Sequence, residues 1–406
     1  MNRLGLGLAL LMLWGFVVWA QEVPNPEGLA PRIGDHPGYT RVVFDLPPGA
    51  TYTLEPLGAA LRLTLPGLTI TPGITYTDRP ELAGYVMEQF EDHAGILFLT
   101  PQGVSPRSGF KLQELPAAEG EGKRLVIDLS GAFADTTPFT PPPNFSFVKA
   151  KGRRFSVVLD PGHGGPDSGA VGLVVEKEVN LEVAKRVAAL LQSAGVEVIL
   201  TRNDDSAFSA DKRTDLTARV NLAKGRNLYV SIHANATSPP RADWACGLEV
   251  YYYGPDNARI VYPPALPLLP SQPVIAPPAT PPDALQPNLP SEAPIQPQEI
   301  VPPSPLPLPP VTPQMGSSRR MELSRTLASR VMSYLLSTTA ALSRGVRTAD
   351  YFVNKFATVP SILVEIGYVT HPIEGLNLRN SDYRDRIAYG IARGVLEYLE
   401  NDYPTE

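Results

Sequence analysis

The stretch FSVVLDPGHGGPDSGAVGLVVEKEVNL, residues 155–181, decides the fold. Phe155 to Asp160 is a short, nearly continuous apolar run, the pattern of a buried strand. It enters a loop with glycines at 162, 164, 165, 169 and 172. From Glu176 onward Val179, Val183, Val187, Leu190, Leu191 and Ala194 recur at helical spacing until Gly195, a residue that commonly ends helices. Working outward, a strand Val196 to Thr201 follows, then a helix carrying Leu216, Val220 and Ala223 and closed by Gly225, then a strand Leu228 to Ile232. Strands alternating with amphipathic helices predict an α/β domain, a mostly parallel sheet flanked by helices.

The alternation stops after a strand Leu248 to Tyr253. Between Gly254 and Ser318 stand 21 of the chain's 45 prolines, with no apolar stripe of either period. This segment is expected to be a disordered proline-rich insertion. Order resumes in a helix with Leu327, Val331 and Leu335, a buried strand Ser361 to Ile366 and a last helix with Ile387, Ile391 and Val395. The domain is thus bounded at 153–402.

Upstream, residues 21–135 show short alternating segments split by Gly and Pro: Thr40 to Leu46, Ala60 to Leu65, Gly95 to Thr100 and Lys123 to Leu129. Period-two strands with frequent turns predict an all-β sandwich. RVVFDL (41–46) and RLVIDL (124–129) share one pattern, which suggests two similar halves. The proline-dense 136–152 reads as an extended linker. Residues 1–20 place Arg3 ahead of an apolar run ending in Ala20, a secretory signal peptide shorter than the ~20 apolar residues of a membrane span. The mature chain is expected to carry no transmembrane segment.

A net charge of -6 offers no field for gathering phosphate polymers, which argues against nucleic acid as a partner. Cys246 is the only cysteine, so no internal disulfide can form, and a buried, small apolar role suits it.

Ligands of open α/β sheets gather at the carboxyl edge of the strands. His163 follows the first strand there, and His233 stands at the end of the third, with Ser231 on its own face and Asn235 just beyond. Glu176 opens the helix between them, where a carboxylate can also simply favour the helix dipole. The loop could cradle phosphate, but neither the Walker pattern nor the dinucleotide spacing is present. Two histidines and a carboxylate are one ligand set of catalytic zinc sites. Non-haem iron uses the same ligand types, but nothing here suggests redox chemistry. Glu365, inside an apolar strand, is costly unless paired or functional; an ion pair with Arg344 or Arg347 is the structural alternative.

DPGHGG with GAVG, EKEVNL, RVNLA, SIHANA, RGVRTADYFV and PSILVEIGYV together resemble the zinc-dependent N-acetylmuramoyl-L-alanine amidases of the bacterial cell wall, over residues 153–400 apart from the insertion. The sandwich region resembles the AMIN domain that targets such enzymes to the envelope. The resemblance implies that His163, Glu176 and His233 hold one catalytic Zn2+ and that Glu365 is the catalytic general base. Asn235, Ser231, Arg344 and Arg347 are candidates for substrate contact or support. The implied substrate is peptidoglycan, cut between the lactyl group of N-acetylmuramic acid and L-alanine. The implied setting is the periplasm or cell envelope, reached by the Sec route, in wall remodelling or daughter-cell separation, with an envelope activator or regulator protein as a further partner. Two departures stand out. Thr370-His371-Pro372 replaces the common Ser-Asn-Pro, and His371 is expected to be exposed. In place of the helix whose glutamate plugs the metal in some relatives stands the proline-rich segment, with Asp283, Glu292 and Glu299 scattered through it.

Overall fold

The structure, a computed structural model, describes residues 29–117, 121–142, 154–238, 245–254, 260–263, 266 and 317–404. The expected signal peptide, the later part of the linker and most of the proline-rich segment lie outside the described residues.

Nine strands form the N-terminal region: β1 (Arg32–His36), β2 (Tyr39–Leu46), β3 (Thr53–Pro56), β4 (Gly58–Pro66), β5 (Gly73–Tyr76), β6 (Gly84–Gln89), β7 (His93–Val104), β8 (Phe110–Pro116) and β9 (Lys123–Leu129). They make two antiparallel sheets, ordered β1-β2-β9-β8 and β3-β4-β7-β6-β5. Val42, Phe44, Leu125 and Ile127 of the first interleave with Leu61, Leu63, Ile96 and Phe98 of the second in one core, the sandwich expected from the alternation. The matching segments RVVFDL and RLVIDL are not equivalents in two halves; they are β2 and β9, paired antiparallel. An Arg and an Asp four residues apart on each strand then face each other crosswise. Arg41 binds Asp128 at 2.7 Å and Arg124 binds Asp45 at 3.1 Å.

The second domain holds β10 (Ser156–Pro161), α1 (Glu176–Ser193), β11 (Glu197–Leu200), α2 (Lys212–Asn221), β12 (Leu228–Asn235), β13 (Leu248–Tyr252), α3 (Ser317–Thr339), β14 (Ser343–Thr348), α4 (Phe352–Phe356), β15 (Ser361–Tyr368), α5 (Glu374–Arg379) and α6 (Ser381–Asn401). Its sheet runs β11-β10-β12-β15-β13-β14. Every pair is parallel except β13 with β15, so the sheet is mixed at that junction, where the strand–helix alternation of the sequence ends. Strand alternation sends Val157, Leu159, Val230, Ile232, Val364 and Ile366 to one face, under α1, α3 and α6. Val158, Tyr229 and Leu363 go to the other, under Val220 of α2, Ala223 just beyond it and Val353 of α4.

The proline-rich segment is ordered at both ends, contrary to the expectation for 254–318. Val261 pairs antiparallel with Val346, because β14 is the sheet's outer strand and offers unpaired backbone groups to a β-forming Ile260-Val261-Tyr262 run. At the far end α3 already begins at Ser317.

Residues 129–142 do not simply hang between the domains. Asp135 is fully buried against Arg386, 3.3 Å away, with Arg107 of the sandwich 2.6 Å away on its other oxygen in an ion pair lacking hydrogen-bond geometry. Asp135 N–H donates to Thr339 O, Asn377 Nδ2 donates to Ala132 O, and Phe139 packs edge-on against Tyr389. His371 is buried, at 1% exposure, and not exposed as expected. Its Nδ1 accepts from the backbone N–H of Ile373 and Glu374 at the start of α5, while its ring and Pro372 lie under Gly38 of the sandwich, where a Cβ would come within 2.9 Å.

Candidate active site

The loop after β10 is held open by buried polar contacts. Asp160 accepts from Thr201 Oγ1 at 2.7 Å, from Ser231 Oγ at 2.8 Å and from Arg219, whose guanidinium also donates to Pro161 O and His163 O. Arg202 donates to Pro161 O, Gly162 O and Lys177 O. These contacts hold His163 in the left-handed region, at φ 63°, which a non-glycine residue adopts at a cost unless its surroundings fix it. Two glycines are required by the side chains they face. A Cβ on Gly162 would lie 2.2 Å from the His233 ring, and one on Gly169 would lie 2.5 Å from Glu176 Oε2.

His163, Glu176 and His233 converge. One ligand atom from each lies within 4.8 Å of the others. His163 Nε2 is 3.1 Å and His233 Nδ1 2.9 Å from the same Glu176 oxygen, and the rings stand edge-on at 4.9 Å. The second oxygen of Glu176 accepts from Ala170 N–H at 2.8 Å, which fixes the carboxylate plane. Burial would raise the Glu176 pKa, but the two imidazoles outweigh it and hold the carboxyl well below its usual range. For His163 burial works downward and is overcome by Glu176 and Asp167, so its pKa is raised. Asp167 lies 3.0 Å from His163 Nδ1 at an angle too bent for a hydrogen bond, and itself pairs with Lys212 at the cleft rim. Two imidazoles and a carboxylate, with their donor atoms within 4.8 Å of one another, are a ligand set that fits a zinc ion.

Glu365 faces the same cleft from β15, where it is paired in register with His233 on β12. It is 7% exposed, and its Oε2 has no hydrogen-bond partner among the described residues. Burial, and then the carboxylates of Glu176 and Glu249, push its pKa well above the ordinary glutamate value. Neither Arg344 nor Arg347 relieves it. Both turn to Glu249, at 2.9 and 3.6 Å, so the structural alternative for Glu365 is not realised. The cleft encloses about 350 Å³, with Glu365, His163, Glu176, His233, Asn235 and Arg219 among its polar lining and Leu216, Phe352, Val353 and Leu363 as an apolar wall.

The structure therefore brings together His163, Glu176, His233 and Glu365, with Asn235 beside them. Ser231 is fully buried beneath, bonded to Asp160, and does not line the cleft. Arg344 and Arg347 stand behind it, on Glu249. Sequence reasoning passed over Asp160, Arg219 and Glu249. The signal available for Asp160 and Glu249 was the one used for Glu365, an acid inside an apolar strand.

Such a cleft at a sheet edge, with a histidine–glutamate–histidine set and a fourth, proton-avid carboxylate, defines an α/β enzyme equipped for hydrolysis. Comparison with known proteins makes this specific: residues 157–397 match the family model described as N-acetylmuramoyl-L-alanine amidase, and the chain belongs to that family. It is 30% identical over 254 residues to the N-acetylmuramoyl-L-alanine amidase AmiA of Escherichia coli (strain K12), covering 62% of this chain and 78% of AmiA. To the amidase LytC of Bacillus subtilis (strain 168) it is 27% identical over 244 residues, 60% of this chain but only 35% of LytC. Among solved structures, the amidase AmiC2 of Nostoc punctiforme is 31% identical, with a TM-score of 0.40, covering 61% of this chain and 98% of that one. No helix among the described residues is long and apolar enough to cross a membrane.

Proposed function

We propose that the chain hydrolyses the amide between the lactyl group of N-acetylmuramic acid and L-alanine of the peptidoglycan stem peptide. The observation that carries this reading is the convergence of His163, Glu176 and His233 beside an unpaired Glu365, in a chain of this family. These three residues would hold zinc. A zinc ion there supplies Lewis acidity, polarising a carbonyl and making water a stronger acid.

The protein's own residues do the rest. Glu176 is clamped through one oxygen by Ala170 N–H, which leaves its other oxygen turned toward the two imidazoles. Glu365 is the general base: it takes a proton from the attacking water and returns it to the departing alanine nitrogen. Its raised proton affinity favours the second half of that transfer, since it holds the proton until it is delivered. The apolar wall of Leu216, Phe352, Val353 and Leu363 limits water around the scissile bond. In this reading the β-sandwich is an AMIN-like module that keeps the enzyme on the envelope, reached through a signal peptide at residues 1–20, and the activity serves wall remodelling or daughter-cell separation.

Digestion of purified peptidoglycan followed by mass spectrometry tests the reaction. Free stem peptides beginning with L-alanine are expected. Peptides shortened but still attached to muramic acid would overturn it in favour of a peptidase. Metal analysis of the same preparation is expected to find one zinc per chain.

A further inference from the structure

Next to the general base lies a second buried carboxylate with no assigned part in the reaction. Glu249 is 2% exposed and sits on β13 directly across from Glu365 in the antiparallel register. Its Oε1 accepts from Arg344 Nε at 2.9 Å, with Arg347 Nε at 3.6 Å, and its Oε2 accepts from Asn235 Nδ2 at 2.7 Å. A carboxylate paired with two guanidinium groups accepts hydrogen bonds and does not donate them. That settles which end of the Asn235 amide faces it. The NH2 group must turn to Glu249, and the carbonyl Oδ1 is directed away.

Asn235 lines the cleft with His233 and Glu365. The pairing of β12 with β15 slips just here: His233 lies opposite Glu365, but Asn235 lies opposite Tyr368, the extra residue being taken up where Gly367 has φ 126°. Such a bulge re-aims side chains at the margin of a site. No described residue donates to Asn235 Oδ1. A neutral acceptor, locked in one orientation beside the base, suits an amide N–H.

We propose that Asn235, held by the Glu249–Arg344–Arg347 cluster, accepts a hydrogen bond from a backbone N–H of the stem peptide, that of the residue following L-alanine. Arg344 and Arg347 act through Glu249 and are positioning residues. The proposal rests on the amidase reading for the identity of the ligand. Its test is therefore a binding measurement that turnover does not enter.

The probe is a muramoyl dipeptide, compared with its depsipeptide analogue in which the second residue's N–H is replaced by an ester oxygen. Both are titrated calorimetrically into zinc-loaded Glu365→Gln protein. The amide is expected to bind about tenfold more tightly than the ester, the worth of one hydrogen bond in a half-buried site. In Glu365→Gln/Asn235→Ala that ratio is expected to collapse to one. In Glu365→Gln/Glu249→Gln it is expected to shrink, because a glutamine can donate as well as accept and no longer fixes the Asn235 amide. Equal affinities in the parent protein, or a ratio that survives Asn235→Ala, would overturn the contact. A ratio untouched by Glu249→Gln would overturn the clamp. The digestion experiment stands apart from these outcomes: failure to release L-alanyl peptides removes the amidase reading, whereas a missing amide preference removes only the role of Asn235.

Discussion

At the scale of single residues, the site works because a few side chains are denied their ordinary partners. Glu365 has the plainest case. Among the described residues nothing donates to its Oε2, and two carboxylates face it. On the proposed mechanism, Glu365→Gln should bind as much zinc as the parent protein and lose about 10²- to 10⁴-fold in kcat, the usual worth of a positioned general base. Near-normal turnover would remove it from that role. Asp167 has the opposite task, facing the outer nitrogen of His163. Asp167→Asn should weaken zinc binding by about tenfold, measured by competition with a chelator, since a carboxylate behind a ligating histidine raises its basicity and orients the ring. Unchanged zinc affinity would mean that Arg219 and the loop backbone suffice. His163, His233, Glu176 and Glu365 were legible because each is an acid or histidine at a strand end, at a helix start or within an apolar strand. Asp160 and Glu249 were not singled out, because each is satisfied by arginines 59 and 95 positions away, a pairing that only the folded chain reveals.

Among the elements, the long strands and helices followed the period of their apolar residues. β9 runs from Lys123 to Leu129 and sends Leu125, Ile127 and Leu129 into the sandwich core, and α6 buries Ile387, Ile391 and Val395. β14, α4 and α5 carry no such period. Ser343 to Thr348 places two arginines and a glycine on a strand, because its neighbour β13 supplies the pairing and Glu249 the counter-charge. α5 explains the buried His371: the imidazole takes the place of an N-terminal cap by accepting the Ile373 and Glu374 N–H groups. The same short helix brings Glu374 into the interior, where its two oxygens accept from Gly247 N–H and Tyr368 N–H. Burial outweighs those bonds and pushes its pKa from 4.5 to about 7. In that range the folded chain keeps a proton that the unfolded chain releases. Stability should therefore fall as pH rises from about 4.5 to about 7 and level off above, by about 3 kcal/mol from this group. Urea unfolding at pH 5 and pH 8 measures it. Glu374→Gln should flatten the slope, while lowering stability at pH 5 because its NH2 must confront one of the two backbone N–H groups. Parallel slopes in both proteins would show that Glu374 does not titrate there.

For the molecule as a whole, two domains of different class were visible in the composition and periodicity, but their seam was not. The last residue of the stretch read as the sandwich is Asp135, whose carboxylate is shared between Arg107 of the sandwich and Arg386 of the last helix. Removing one member of a buried ionic group strands the others. Asp135→Ala should cost about 3–5 kcal/mol, seen as a lowered thermal midpoint. A loss of under about 1 kcal/mol would place these charges in contact with water.

The seating of Gly38 on His371 and Pro372 bears on how this enzyme can be taken apart. The two halves are not interchangeable cassettes, since a hydrolase trimmed to residues 154–404 would bare the His371 ring and would leave Asn377 and Arg386 to find solvent in place of backbone carbonyls and a carboxylate. Anyone grafting a different N-terminal domain onto this catalyst would need to rebuild that underside first.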